Sequence, residues 1–216
     1  MNLTLPQRIY LMAYNPAKND FTTADLQFRG QRLRAAALTE LVDARLVGTD
    51  DGKALRLGTE PPADTFLAEV WGQVSADRPE RWLGLIHDEA HTAEAPMRSQ
   101  LLAAGVIREP EHRRLGPLAT HHVVPTAPDQ LLALREATRS AVLSDPDPST
   151  VALEDLATAL LCTEGEASVL FDGRERRAHK ETLKALAQRF DDFVPGLRKA
   201  LLTSILSHRA VGGGWS

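Results

Sequence analysis

The sequence predicts a mainly α protein: one globular helical domain, with a central buried helix surrounded by amphipathic helices and one or two small β-hairpins. Three observations carry that expectation. Apolar residues recur at helical spacing through most of the 216 residues. Two segments break the pattern with short apolar arms around a polar turn. The composition, 43% apolar and 25% charged, is that of a chain that buries a core. At this length no disulfide or metal staple is needed. A single cysteine, Cys162, excludes an internal disulfide framework and a multi-Cys zinc site. The domain is expected over residues 1–210, with 211–216 as a flexible glycine-rich tail.

Leu5, Ile9, Met12 and Ala13 predict a short opening helix, with Pro6 tolerated in its first turn. Leu33, Ala37, Leu38, Leu41, Val42 and Ala44 predict an amphipathic helix from about Gly30 to Arg45. The following segment, LVGTDDGKALRLG, reads as a hairpin turning at Asp51-Gly52. Phe66, Leu67, Val70, Trp71 and Val74 mark another helix, and Trp82, Leu83, Leu85 and Ile86 the next. Met97, Leu101 and Leu102 then lead into GVIREPEHRRLGPLATHHVVP, a second helix-then-hairpin unit. Beyond Pro125 the chain reads as all helical, with helices at about 127–144, along VALEDLATALLC, over Arg174–Phe190 and over Val194–His208. VALEDLATALLC is apolar on more than one face, as a buried central helix must be.

The formal net charge is −4, from 25 basic and 29 acidic residues. That balance excludes a protein that coats nucleic acid, and no nucleic-acid partner is expected. The start, MNLTLPQRIY, lacks a signal-peptide pattern, and no run approaches 18 apolar residues, so a cytoplasmic protein, peripheral at a membrane face at most, is expected. Position matters more than total. Between Leu26 and Thr39 there is no acid, yet Arg29, Arg32 and Arg34 fall there, and from Phe193 onward there is again none. Arginine's planar fork pairs bidentately with phosphate, so a clustered set marks an anion site, whereas dispersed arginines are ordinary solvated residues.

Catalytic signatures are missing. No G-x-S-x-G elbow, phosphate-binding P-loop or dinucleotide-binding glycine turn occurs. His87 and His91 stand at i and i+4, a metal-ligand spacing, but Asp88 follows the first histidine where a zincin carries glutamate. A polar helix face explains the two histidines as well as a metal does. Cys162 lies in an apolar run, as a small core residue does. The expectation is a binding module, with no enzymatic activity, cofactor or metal. Helix-then-hairpin units also describe winged-helix DNA binders, with Arg29, Arg32 and Arg34 on phosphates. Asp50 and Asp51 on the wing argue against that alternative.

Leu3-Thr4-Leu5, Leu33-Arg34-Ala35, Glu40-Leu41, Arg45-Leu46 and Gly105-Val106-Ile107, in this order and spacing, resemble the pattern of the Golgi phosphoprotein 3 family over nearly the whole chain. The Ala/Arg-rich composition resembles the family's bacterial branch. The resemblance implies a mainly helical, non-enzymatic domain with a projecting hairpin that binds a membrane peripherally through an anionic head group, phosphatidylinositol 4-phosphate or a related phosphoinositide. It also implies membrane-protein cargo and self-association through the hairpin. Arg34 takes the position of the family's pocket arginine. The pocket tryptophan has no counterpart in Phe21–Asp25, and the two further basic positions fall on His91 and Glu94, with Arg98 one turn beyond Glu94. The candidate head-group residues are therefore Arg34, Arg29, Arg32 and Arg98, and the candidate membrane or oligomer contacts on the second hairpin are Leu115 and Leu118. An interaction scaffold without a lipid site is the remaining alternative.

Overall fold

Thr4 opens the first helix with a capping box: its hydroxyl accepts from the Gln7 amide while the Gln7 side chain accepts from the Thr4 amide. The computed structural model in which this is seen describes residues 2–21, 26–110, 123–164 and 170–212. Leu115 and Leu118 lie outside the described residues, as do residues 213–216 of the tail. Helix α1 (Leu5–Leu11) is followed by a two-residue ladder, β1 (Tyr14–Asn15) with β2 (Asp20–Phe21). The pattern of apolar residues had not revealed this ladder. It is short, and its two core residues, Tyr14 and Phe21, pack on each other across a loop with no Gly turn signal.

Helix α2 (Leu26–Asp43) starts a turn earlier than its periodicity suggested. It is the most enclosed element, packed by α1 and by α3 (Thr65–Gln73), α4 (Trp82–His87), α5 (Glu94–Ala103), α7 (Leu153–Thr163), α10 (Leu197–Gly212) and the 3-10 turn η1 (Ala90–Thr92). Its segment Leu33–Leu38 is buried without interruption. The close approach of η1 requires Gly30, because a Cβ there would sit 1.7 Å from the Ala90 carbonyl oxygen. α7 is buried from Leu156 to Cys162, as its all-round apolar sequence requires.

The two helix-then-hairpin units share one local device. α2 ends with Arg45 at φ 58°, the Leu46 amide bonding the Leu41 carbonyl and the Arg45 amide that of Val42. α5 ends with Gly105 at φ 66° and the same pair of bonds, from Val106 to Leu101 and from Gly105 to Leu102. Both are Schellman caps, which turn the chain sharply out of a helix and into a strand. The first leads into β3 (Val47–Asp50) and β4 (Lys53–Arg56), joined at Asp51-Gly52 with both φ positive, as a two-residue hairpin turn demands. The second leads into β5 (Ile107–Arg108), paired with β6 (Val124–Pro125).

The remaining elements are α6 (Pro128–Leu143), the turn η2 (Pro148–Thr150), α8 (Gly173–Ala178) and α9 (Lys180–Phe193). The single helix expected over Arg174–Phe190 is thus broken at His179. Its ring Nδ1 lies 2.9 Å from Asp145 Oδ1, and Thr182 Oγ1 donates to the same carboxylate, which draws the junction onto the end of α6. Among the described residues the fold is a mainly α domain with three short antiparallel ladders, and no helix is long and apolar enough to cross a membrane.

Candidate functional site

The acid-free segment became α2, and α2 is interior, so its arginines are not surface cations. Arg29, Arg32 and Arg34 are only 2%, 2% and 1% exposed. At about 100° per residue, Arg34 lies about 140° around the helix from Arg29 and about 160° from Arg32. Arg29 Nη1 pairs with Glu94 at 3.2 Å, and its guanidinium stands 5.4 Å from the centroid of the Tyr10 ring. Arg32 Nη2 donates to the Glu164 carbonyl at 3.2 Å. The structure therefore brings Arg29 together with Glu94, Tyr10 and half-buried Arg98, and sets Arg32 and Arg34 apart from them. Burial pushes the Tyr10 hydroxyl up to about 12, with Arg29 and Arg98 opposing that rise and Glu94 adding to it. Of the two positions where the family pattern is basic, His91 is exposed in η1 and Glu94 is turned inward onto Arg29.

Arg34 is the exception. Its Nε donates to the Leu85 carbonyl at 2.5 Å, and its Nη2 to Gln73 Oε1. Its Nη1 is buried with no hydrogen-bond partner among the described residues. Burial lowers the Arg34 pKa from its ordinary value, while Glu69, Glu89 and Asp88 act in the other direction. An arginine stays cationic under such shifts. Arg34 thus carries an interior positive charge with one donor group uncommitted, and it lines an open pocket of about 910 Å³ between α3, α4 and the end of α10.

The loop Arg78–Arg81 and the α4 C-terminus build the rest of that pocket. Trp82 anchors the loop: its ring is buried, and its Nε1 donates to the Pro195 carbonyl at 2.9 Å. The Ala54 and Glu80 backbones exchange two bonds of 2.8 Å, which fix the loop to β4. Arg78, Arg81 and His87 supply basic groups, and Glu80, Asp88 and Glu89 supply carboxylates. His87 Nδ1 lies 2.9 Å from Ser204 Oγ, which holds its ring against α10. These partners of Arg34 escaped the sequence reading. Arg78 and Arg81 sit in a polar loop without periodicity, and only the buried Trp82 beside them hinted that the loop is fixed.

His87 and His91 do not share a helix face. His87 is the last residue of α4 and His91 belongs to η1, with Asp88 and Glu89 between them. Among the described residues no three His, Cys, Asp or Glu side chains are grouped to hold a metal. Cys162 is buried in α7, a core position. The winged-helix alternative needs the α2 arginines together against one phosphate backbone, and the structure instead turns Arg29 onto Glu94, Arg32 onto the Glu164 carbonyl, and Arg34 to a different side of α2.

Compared with known families, residues 5–204 match the description Golgi phosphoprotein 3 (GPP34). No curated protein matches the chain significantly.

Proposed function

The chain belongs to the Golgi phosphoprotein 3 family, and on that footing we propose that it is a non-enzymatic, peripheral membrane-binding module whose Arg34 pocket takes an anionic phospholipid head group. One observation carries the proposal: Arg34, the arginine of the family motif, lines an open pocket together with Arg78 and Arg81. A phosphate oxygen is the acceptor that an arginine fork fits best.

The mixed lining narrows the ligand. A bare polyanion would meet Asp88, Glu89 and Glu80 as well as the cations. A phosphorylated polyol suits both sets, its phosphate accepting from Arg34, Arg78 or Arg81 and its hydroxyls donating to the carboxylates. An inositol phosphate head group has that composition. Leu83 lines the same pocket at 37% exposure, and α4 packs on α10, where Leu202 and Leu206 are also exposed. Exposed leucines supply the second, apolar signal that peripheral attachment needs, since each basic residue near an anionic surface contributes only about 1 kcal/mol.

Vesicle co-sedimentation tests this reading. Wild-type protein is expected to bind phosphatidylcholine vesicles doped with phosphatidylinositol 4-phosphate at low salt and to be released as salt rises. Arg34→Lys, which keeps the charge but not the fork, is expected to lose most of that binding, and Arg81→Gln to weaken it. A thermal melt of each variant separates loss of the site from loss of the fold. Unchanged binding by folded Arg34→Lys, or no wild-type binding at low salt, overturns the proposal.

A further inference from the structure

A second concavity, of about 570 Å³, lies on another part of the molecule, where α7, α8, α9 and the start of α10 meet. Its charge is one-sided. Arg176, Arg177, Lys180 and Lys184 line it, and none of the four side chains has a hydrogen bond or ion pair among the described residues. One carboxylate, Glu164, also lines it, but Arg198 Nη1 already holds that group at 2.9 Å. Arg198 is spoken for in turn, with its Nε 3.0 Å from Asp191 Oδ1 and its Nη2 2.5 Å from Oδ2. Those bonds raise the Arg198 pKa and keep the residue committed to the fold.

The spacing of the cations brings like charges together. Arg176, Lys180 and Lys184 follow one another at four-residue intervals across the α8–α9 junction. Lys180 stands at the first residue of the 14-residue α9, where the helix dipole favours an anion. Arg176 and Arg177, in the last turn of α8, stand where a helix dipole favours cations, so Lys180 is the misplaced charge of the four. Leu160, Leu183 and Ala187 give the groove an apolar wall beneath this rim. The Arg34 pocket, by contrast, sets carboxylates beside its guanidinium groups.

We propose that this groove is a second anion site, which takes a phosphate-bearing ligand. Arg176 and Arg177 are suited to fork onto phosphate oxygens, Lys180 and Lys184 act as added point charges, and the ligand's carbon skeleton lies on Leu160, Leu183 and Ala187. The same chemistry is met in a lipid head group and in a soluble phosphate ester. The site does not depend on the function proposed for the Arg34 pocket.

Two probes test it with the full chain at low salt: inositol hexakisphosphate followed by titration calorimetry, and phosphatidylcholine vesicles containing phosphatidic acid followed by co-sedimentation. The side chains of Arg176, Lys180 and Lys184 carry no fold-holding bonds, so Arg176→Gln with Lys180→Gln is expected to fold normally. It is expected to weaken binding of at least one probe about tenfold or more. Lys18→Gln with Lys53→Gln removes equal charge elsewhere and is expected to leave affinity within about twofold. Loss of the soluble probe's binding assigns a soluble ester, and loss of vesicle binding alone assigns a head group. If neither probe binds wild-type protein, or if both double variants weaken it alike, the site is refuted. Arg34→Lys reports on the other pocket, so the two proposals fail separately.

Discussion

Arg34 shows how much one side chain carries. Its guanidinium ties α2 to α3 through Gln73 and to α4 through the Leu85 carbonyl, so it holds the pocket wall together while contributing charge to the pocket. Arg34→Ala is therefore expected to unpair the buried Leu85 carbonyl, release Gln73, leave a cavity, and destabilise the fold by about 3 kcal/mol, measured by urea denaturation. Arg34→Lys is expected to cost about half of that, since a single ammonium cannot serve both acceptors. Arg34 was legible in the sequence by its place in a motif. That Arg29 and Arg32 answer to Glu94 and Glu164 was not, because an arginine's partner 65 or 132 residues away leaves no local trace.

Helix α2 and the turn η1 meet backbone to backbone, and Gly30 makes that contact possible. Glycine inside a helix costs about 1 kcal/mol against alanine, so its presence here reflects packing. Gly30→Ala would gain propensity and lose far more, because the new methyl would fall on the Ala90 carbonyl oxygen and neither backbone can yield as a side chain would. The expected net effect is destabilisation by about 2 kcal/mol or more, read as a lower Tm in calorimetry. The same holds for helix boundaries in general. The Asp51-Gly52 turn was legible because a two-residue hairpin with positive φ needs those residue types. The break at His179 was not legible, because it depends on Asp145 at the end of another helix.

Across the whole molecule, arginines act as fasteners between distant helices. Arg8 on α1 reaches Glu154 at 3.1 Å and also Asp155, both on α7. Arg135 on α6 donates to the Met12 carbonyl at 3.0 Å, and Arg189 on α9 to the Val151 carbonyl at 2.6 Å. Arg139 on α6 pairs with Glu175 on α8 at 2.5 Å. That pair gives global stability a pH dependence. The Arg139 hydrogen bond, with the Asp172 backbone amide, holds the Glu175 pKa below its ordinary value. A carboxylate lowered in the folded state contributes stability that is present above its unfolded pKa and lost as pH falls through the folded value. Glu175→Gln is accordingly expected to be less stable than wild type near neutrality and to lose less on acidification, so that two denaturation curves taken down to about pH 3 converge. Parallel curves would show that the pair contributes nothing.

Sequence was sufficient for what depends on neighbours along the chain: helical periodicity, the Asp51-Gly52 turn, the core placement of Cys162, and a family pattern strict enough in order and spacing to be recognised. It grouped Arg29, Arg32 and Arg34 because acids were absent between Leu26 and Thr39, and added Arg98 from its place one turn beyond Glu94 in the family pattern. Tertiary structure decided their fate. Burial inside α2 forced Arg29, Arg32 and Arg34 onto internal acceptors and set Arg34 at the wall of a pocket, while the fold gathered Arg176, Arg177, Lys180 and Lys184 around a groove that their local sequence does not foretell. The physical reason is the same in both places. A charge finds its partner through space, and only the packing of the helices says which acid or carbonyl stands within reach and which cation is left for a ligand.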